Sequence, residues 1–299
     1  MSLAGRVDAA QQRSRVASVA VATAKKFSQD GSTNLAATIA FWAFFSVFPL
    51  LLVGVTILGW VLPAHAKANV LGRIAAMFPL LEPRTIRGLT GSLWALLVGS
   101  FTALWSGIGV VGSLQNALNS VWEVPRLERP GRLQQVLRSL RVLATVGAGL
   151  LFTTLLSSFI TSSANGVHLG LAAHAGGYLL AVALDVGMLV ASFRMLTAHR
   201  VRTREVLPGA LLSGLVFFVL QELSAFIISR HLRSAQSTYG HFATVITILW
   251  WFYLQAVVTM LGAQLNVVLA ERLYPRSLFG SPRTPADLRA VRAYAREPG

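Results

Sequence analysis

Residues 35–62 read LAATIAFWAFFSVFPLLLVGVTILGWVL, a run without one charged side chain. Crossing a hydrocarbon core of about 30 Å takes about 20 apolar residues, because a helix rises 1.5 Å per residue. This run is longer than that. It lacks the period-two alternation of a barrel strand, so a helix is what satisfies its backbone in lipid. Five more runs of the same character follow at Leu89–Gly112, Val142–Ser163, Ala175–Leu196, Val206–Ser229 and Phe242–Ala270. Together they predict an all-α polytopic membrane protein with six transmembrane helices.

Composition agrees. Of 299 residues, 54% are hydrophobic and 12% charged, against about 25% charged in an average soluble protein. The polar segments between runs are too short to fold as domains of their own. The expected organisation is a basic segment over residues 1–33, a six-helix membrane domain over 34–270, and a basic, partly disordered tail over 271–299.

Lys and Arg collect in cytoplasmic loops of membrane proteins. Here they cluster in the N-terminal segment, in the second loop (Arg126, Arg129, Arg132, Arg138, Arg141), in the fourth (Arg194, Arg200, Arg202, Arg204) and in the C-terminal tail. The opposite side keeps Lys67, Arg73, Arg84, Arg87, Arg230 and Arg233. An N-in, C-in topology follows. The net charge of +15 is what topology and anionic headgroups require. No zinc-finger spacing or aromatic-interleaved basic motif accompanies it, so nucleic acid is not an expected partner.

The first 33 residues lack the continuous apolar core of a cleavable signal peptide. Val16, Val19, Thr23 and Phe27 fall on one helical face, which suits a helix lying in the headgroup layer. A solvated basic tail is the equal alternative. In either case Asp30-Gly31-Ser32-Thr33 separates this segment from the first span.

Cysteine is absent, which removes thiolate chemistry and cysteine-ligated metals. His168 and His174, in the short third loop, have no nearby carboxylate to complete a metal site. No nucleotide-binding, metalloprotease or hydrolase motif occurs. No cofactor, metal or catalytic residue is expected, and the chain is read as a non-enzyme.

Within the spans, Pro49 sits mid-helix and removes a backbone donor, so a bend is expected near Ser46, as a hinge, a cavity wall or simply a packing feature. Gly99, Ala103 and Gly107 form a small-residue stripe for close helix packing. Gln115 and Asn119 near the end of span two, and Gln264 and Asn266 near the end of span six, either bond across helices or line a polar vestibule. Asp185 in span four and Glu222 in span five lie at similar depth, roughly 12–16 Å from the outer ends at helical rise. Intramembrane carboxylates cost several kcal/mol unless paired, protonated or wet, and they recur in substrate pathways. They serve a pathway, together with Gln255, Ser46 and Pro49, or they lock helices through Gln221, Gln255 or Ser192. Arg194 snorkels to the interface and needs no further role. The segment from Leu71 to Arg87 reads as a lid-like interfacial helix broken near Pro79 and Pro83.

Four segments carry a family resemblance: NLAATIAFWAFFSVFPLLL from Asn34, NALNSVWEVP from Asn116, LPGALLSGLVFFVLQ from Leu207, and STYGHFATVITILWWFYLQAVVTMLGAQLN from Ser237. Over roughly residues 30–275 the chain resembles the YihY/BrkB family of bacterial inner-membrane proteins, with Phe41 where that family's first span has a tyrosine. The resemblance implies a six-span integral membrane protein. Family members have been labelled ribonucleases and virulence or serum-resistance factors, and the scattered acids here do not suit phosphodiester cleavage.

The expected function is a transporter or flippase-like protein that takes a lipid or other amphipathic substrate into a cavity between span one and spans four to six. Anionic headgroups are the expected partners at its cytoplasmic rim. The alternative, from another class, is a non-transporting scaffold or regulator that binds partner proteins.

Overall fold

The computed structural model describes residues 3–61, 92–163, 171–224, 226, 242–278 and 284–294. These form nine α-helices among the described residues: α1 Leu3–Arg13, α2 Arg15–Gln29, α3 Ser32–Val61, α4 Leu93–Val121, α5 Arg132–Ser163, α6 Leu171–Leu196, α7 Thr203–Glu222, α8 Ala243–Ala270 and α9 Pro285–Tyr294. A single 3₁₀ turn at Arg126–Glu128 links α4 to α5, and no strand occurs among the described residues. The expected lid over Leu71–Arg87 lies outside them, as does His168.

Among the described residues, four helical stretches are long and apolar enough to cross a membrane: Ser32–Ile57, Leu93–Val121, Thr203–Glu222 and Ala243–Ala270. Where the third and fourth spans were expected, α5 and α6 are helical, but their bounds differ. Helix α5 begins at Arg132, so Arg138 and Arg141 stand on the helix and not in a loop. Helix α6 begins at Leu171 and takes in His174, read from the sequence as loop.

Two compact units make up the chain: residues 1–36, 114–221 and 257–299 in one, and residues 37–113 and 222–256 in the other. In the second unit, small residues of α4 meet α3. A Cβ on Gly99 would stand 3.1 Å from Val53, and one on Gly109 would overlap the Trp42 indole. Helix α3 runs unbroken through Pro49, and Ser46 Oγ donates to the Ala43 carbonyl at 2.7 Å.

In the first unit, α7 and α8 touch backbone to backbone. A Cβ on Gly209 would overlap the Gly262 carbonyl, and one on Gly262 would overlap Ser213 Oγ. Ser213 Oγ donates to the Val258 carbonyl at 3.0 Å, and Gly209 N–H donates to Asn266 Oδ1 at 2.7 Å. Pro208 lies inside α7. The helix starts at Thr203, where Glu205 Oε2 reaches back to accept from Arg202 N–H at 2.7 Å, half of a capping box.

The segment expected as an interfacial helix or a solvated tail is helical as α1 and α2. Helix α2 buries Ser18, Ala22, Thr23 and Lys26, while Val16 is 81% exposed. The buried stripe is polar because it meets polar partners, a relation that hydrophobic periodicity does not register. The C-terminal tail, expected to be partly disordered, forms α9 and packs with these helices. Asp287 caps α9, accepting from Thr284 N–H at 3.1 Å, and also accepts from Arg276 Nε at 3.0 Å and Ser277 N–H at 3.1 Å. Asp8 Oδ1 accepts from Leu278 N–H at 2.9 Å, and Gln11 Nε2 donates to the Arg276 carbonyl at 2.7 Å.

Candidate functional site

Helix α5 packs along α6, with Gly149 close under Met188. Beside the C-terminal half of α6, within the first unit, lies a cavity of about 710 Å³, within the size range of small-molecule sites. Its lining combines two chemistries. Gly187, Val190, Ala191 and Met195 are apolar; Arg138, Arg141, Arg194, Arg200 and His199 are basic; no carboxylate lines it.

The basic residues are held in place from behind. Helix α6 ends at Leu196, and the following segment turns under Asn119, whose Oδ1 accepts from Ala198 N–H at 2.7 Å. Thr197 Oγ1 donates to the Phe193 carbonyl at 2.7 Å. The His199 ring stacks on Trp122 with centroids 6.3 Å apart. Arg138 Nη1 is buried without a hydrogen-bond partner among the described residues. An unsatisfied buried donor costs about 1–3 kcal/mol, more when charged, so an acceptor at that nitrogen is worth having. Arg194, for which the sequence suggested only snorkelling, is one wall of this cavity. The signal for it was readable in part: Arg138 and Arg141 are three apart, hence on one face of α5.

A second polar centre in the same unit surrounds Lys26, which is completely buried. Its Nζ donates to Asp30 Oδ2 at 2.9 Å and to Glu123 Oε1 at 2.8 Å. Local structure explains the convergence. Lys26 occupies the last turn of α2, Asp30 is its C-cap, and Gly31 takes φ +60° to turn the chain into α3. Only glycine adopts that conformation without cost. Glu123 follows the end of α4 and is itself left-handed, with φ 52°. Val124 N–H closes the turn onto the Asn119 carbonyl at 2.9 Å, a Schellman closure. Helix α8 ends the same way, with Arg272 at φ 52° and Leu273 N–H donating to the Val268 carbonyl at 2.9 Å. Burial pushes the Glu123 carboxyl above the usual range, and Lys26 partly offsets this.

The four amides Gln115, Asn119, Gln264 and Asn266 are all buried and bond to separate neighbours elsewhere in the chain. Gln264 Nε2 joins the Lys26 centre, donating to Asp30 Oδ2 and Ser32 Oγ at 2.8 Å each. Gln115 Nε2 donates to Ser139 Oγ at 2.9 Å. Asn119 and Asn266 accept from Ala198 and Gly209 as described. Of the pathway candidates, Asp185 is half-buried on α6 in the first unit, with no hydrogen bond or ion pair among the described residues. Glu222, Gln255, Ser46 and Pro49 belong to the second unit, where Glu222 is exposed. Sequence reasoning missed Lys26, Asp30 and Glu123 altogether. Among the described residues no three His, Asp or Glu side chains group as a metal site.

The family model described as virulence factor BrkB matches residues 23–286, a segment that includes Lys26, Asp30, Glu123, Gln264 and the four cavity arginines. The chain is 28% identical over 265 residues to a UPF0761 membrane protein of Nitrosospira multiformis, covering 82% of this chain and 59% of that one. It is 25% identical over 251 residues to the ribonuclease-like protein YfkH of Bacillus subtilis, covering 79% and 89%. A UPF0761 membrane protein of Chlorobium luteolum is 25% identical over 256 residues, covering 79% and 56%. The chain thus spans little more than half the length of two of these three relatives. No solved structure matches it. With most of its length matched and its helices long and apolar enough to cross a bilayer, the chain belongs to the BrkB virulence-factor family of membrane proteins.

Proposed function

We propose that the protein is a six-span inner-membrane protein, with both ends cytoplasmic, that takes an amphipathic substrate such as a lipid into the cavity beside α6 and passes it through or along the membrane. The observation that carries this reading is the mixed lining of the cavity, arginines and apolar side chains together with no carboxylate. An amphipathic molecule satisfies both chemistries at once, since its apolar part leaves water and its head meets the guanidinium groups. Asp185 lies on the same helix and adds an intramembrane carboxylate to the route. The ribonuclease wording in the name of the Bacillus relative is not carried over. The cavity offers guanidinium groups to hold a phosphate but no carboxylate beside it.

The test is movement of labelled anionic lipid between leaflets of liposomes holding the purified protein, compared with Asp185→Asn and Glu222→Gln. Movement above protein-free vesicles that Asp185→Asn removes supports the reading. Well-folded native protein that moves no lipid overturns it and leaves the scaffold alternative standing.

A further inference from the structure

We infer that the arginine-lined α5–α6 cavity is a binding site for a phosphate group, with Arg138, whose Nη1 is buried, as the inner contact and the exposed Arg141, Arg194 and Arg200 closing on it from the rim. The inference deepens the substrate reading above by naming the chemistry of the head, and it rests on that reading for the ligand's apolar part.

Three observations converge. Four guanidinium groups share one cavity with no acid in its wall. Among the described residues, none of the four makes an ion pair or hydrogen bond. Elsewhere in the same unit, Arg276 is paired with Asp287 at 3.0 Å and Arg289 is bonded to the Arg272 carbonyl. Finally, Arg138 Nη1 is buried with its donor unspent. The C-terminal carbonyls of α6 also point negative charge toward this end of the helix. A helix end carries roughly half an elementary charge, too little to balance four cations. A phosphate brings one to two negative charges and several acceptor oxygens, which the planar fork of arginine binds bidentately. Basic pockets between membrane helices hold phospholipid heads on the same principle.

The test uses the full-length protein in detergent and native mass spectrometry, with equimolar phosphatidylglycerol and diacylglycerol, which share tails and differ in the phosphate. Phosphatidylglycerol is expected to be retained about tenfold better, and the double variant Arg138→Gln, Arg194→Gln to lose that preference. Arg132→Gln, outside the cavity, is expected to keep it. Equal retention of diacylglycerol, or a preference untouched by the double variant, overturns the inference. If the double variant does not fold, Arg141→Gln and Arg200→Gln, both on exposed side chains, are each expected to weaken retention several-fold, and unchanged retention in both overturns it. Displacement by millimolar inorganic phosphate assigns the site to free phosphate as well. Arginine-dependent retention that inorganic phosphate cannot displace assigns it to the lipid head. The two proposals fail separately: retention without movement between leaflets overturns transport and keeps the site, whereas movement that ignores the double variant overturns the site and keeps transport.

Discussion

Lys26 Nζ stands 2.8 Å from Glu123 Oε1, a carboxylate 97 residues further along the chain. With Asp30 at 2.9 Å on the same ammonium, one cation is shared by two anions in a site closed to water. Taking away one member of such a buried group leaves uncompensated charge, at about 3–5 kcal/mol. Lys26→Met is therefore expected to lower stability by that amount in thermal melting. Pairing it with Glu123→Gln is expected to recover part of the loss, because one of the stranded charges goes with it. Additive losses would show that the two residues are not coupled.

Acid titration is expected to act in two opposite senses. Burial holds the Glu123 carboxyl above the usual range, so the folded state takes up its proton first, and stability rises as pH falls from the raised native value to about the ordinary 4.5 of a glutamate. Asp287 resists burial through hydrogen bonds from Ser277, Thr284 and Arg276 and is held down at about 2. Its stabilisation is complete above its ordinary 3.8 and is lost as pH falls toward 2. The Leu278 N–H, ahead of the opposing effect of burial, lowers Asp8 in the same sense. Melting temperature is expected to pass through a maximum in mild acid. Glu123→Gln should flatten the neutral side of that curve and Asp287→Asn the acid side.

Two left-handed residues close two helices by the same turn, yet they should respond differently to glycine. Left-handed backbone costs a non-glycine residue about 1–2 kcal/mol. Arg272 is exposed, and Arg272→Gly is expected to raise stability by about 1 kcal/mol. Glu123→Gly relieves the same strain but strands Lys26 with one partner fewer, and a net loss is expected. Equal responses by denaturant unfolding would deny Glu123 its role in the buried cluster.

The contact of α7 with α8 leaves no room for a methyl group. Gly209→Ala drives its Cβ into the Gly262 carbonyl, which no rotamer change relieves. A loss of about 1–3 kcal/mol is expected. Gly112→Ala, with nothing within 4 Å of the added atom, is expected to be neutral or to gain up to about 1 kcal/mol. Melting of both variants in one detergent decides the matter.

The helical class was legible because length and apolar content alone decide whether a run can cross a bilayer, and α3, α4, α7 and α8 announce themselves that way. The amides Gln115, Asn119, Gln264 and Asn266 were legible as polar groups at apolar helix ends, though not their partners, which lie on other helices. Lys26 was illegible. A lysine in a basic segment reads as a solvated charge, and what buries it is Glu123, whose meeting with it depends on where α4 stops. The cavity arginines were hidden by the topology argument: basic residues between spans are expected to set orientation, so Arg138, Arg141, Arg194 and Arg200 were already accounted for. Nothing in their spacing reveals that α5 and α6 bring them to one cavity.

Gln11 and Lys25 find acceptors in the carbonyls of Arg276 and Ser277, 265 and 252 residues further on. Ribosomes add about 5–20 residues per second, so α1 and α2 emerge roughly fifteen seconds to a minute before those partners exist. Throughout that interval Gln11 and Lys25 lack these acceptors. The layer closes only when synthesis has passed Ser277, so the first helices to be made are among the last to be locked in place.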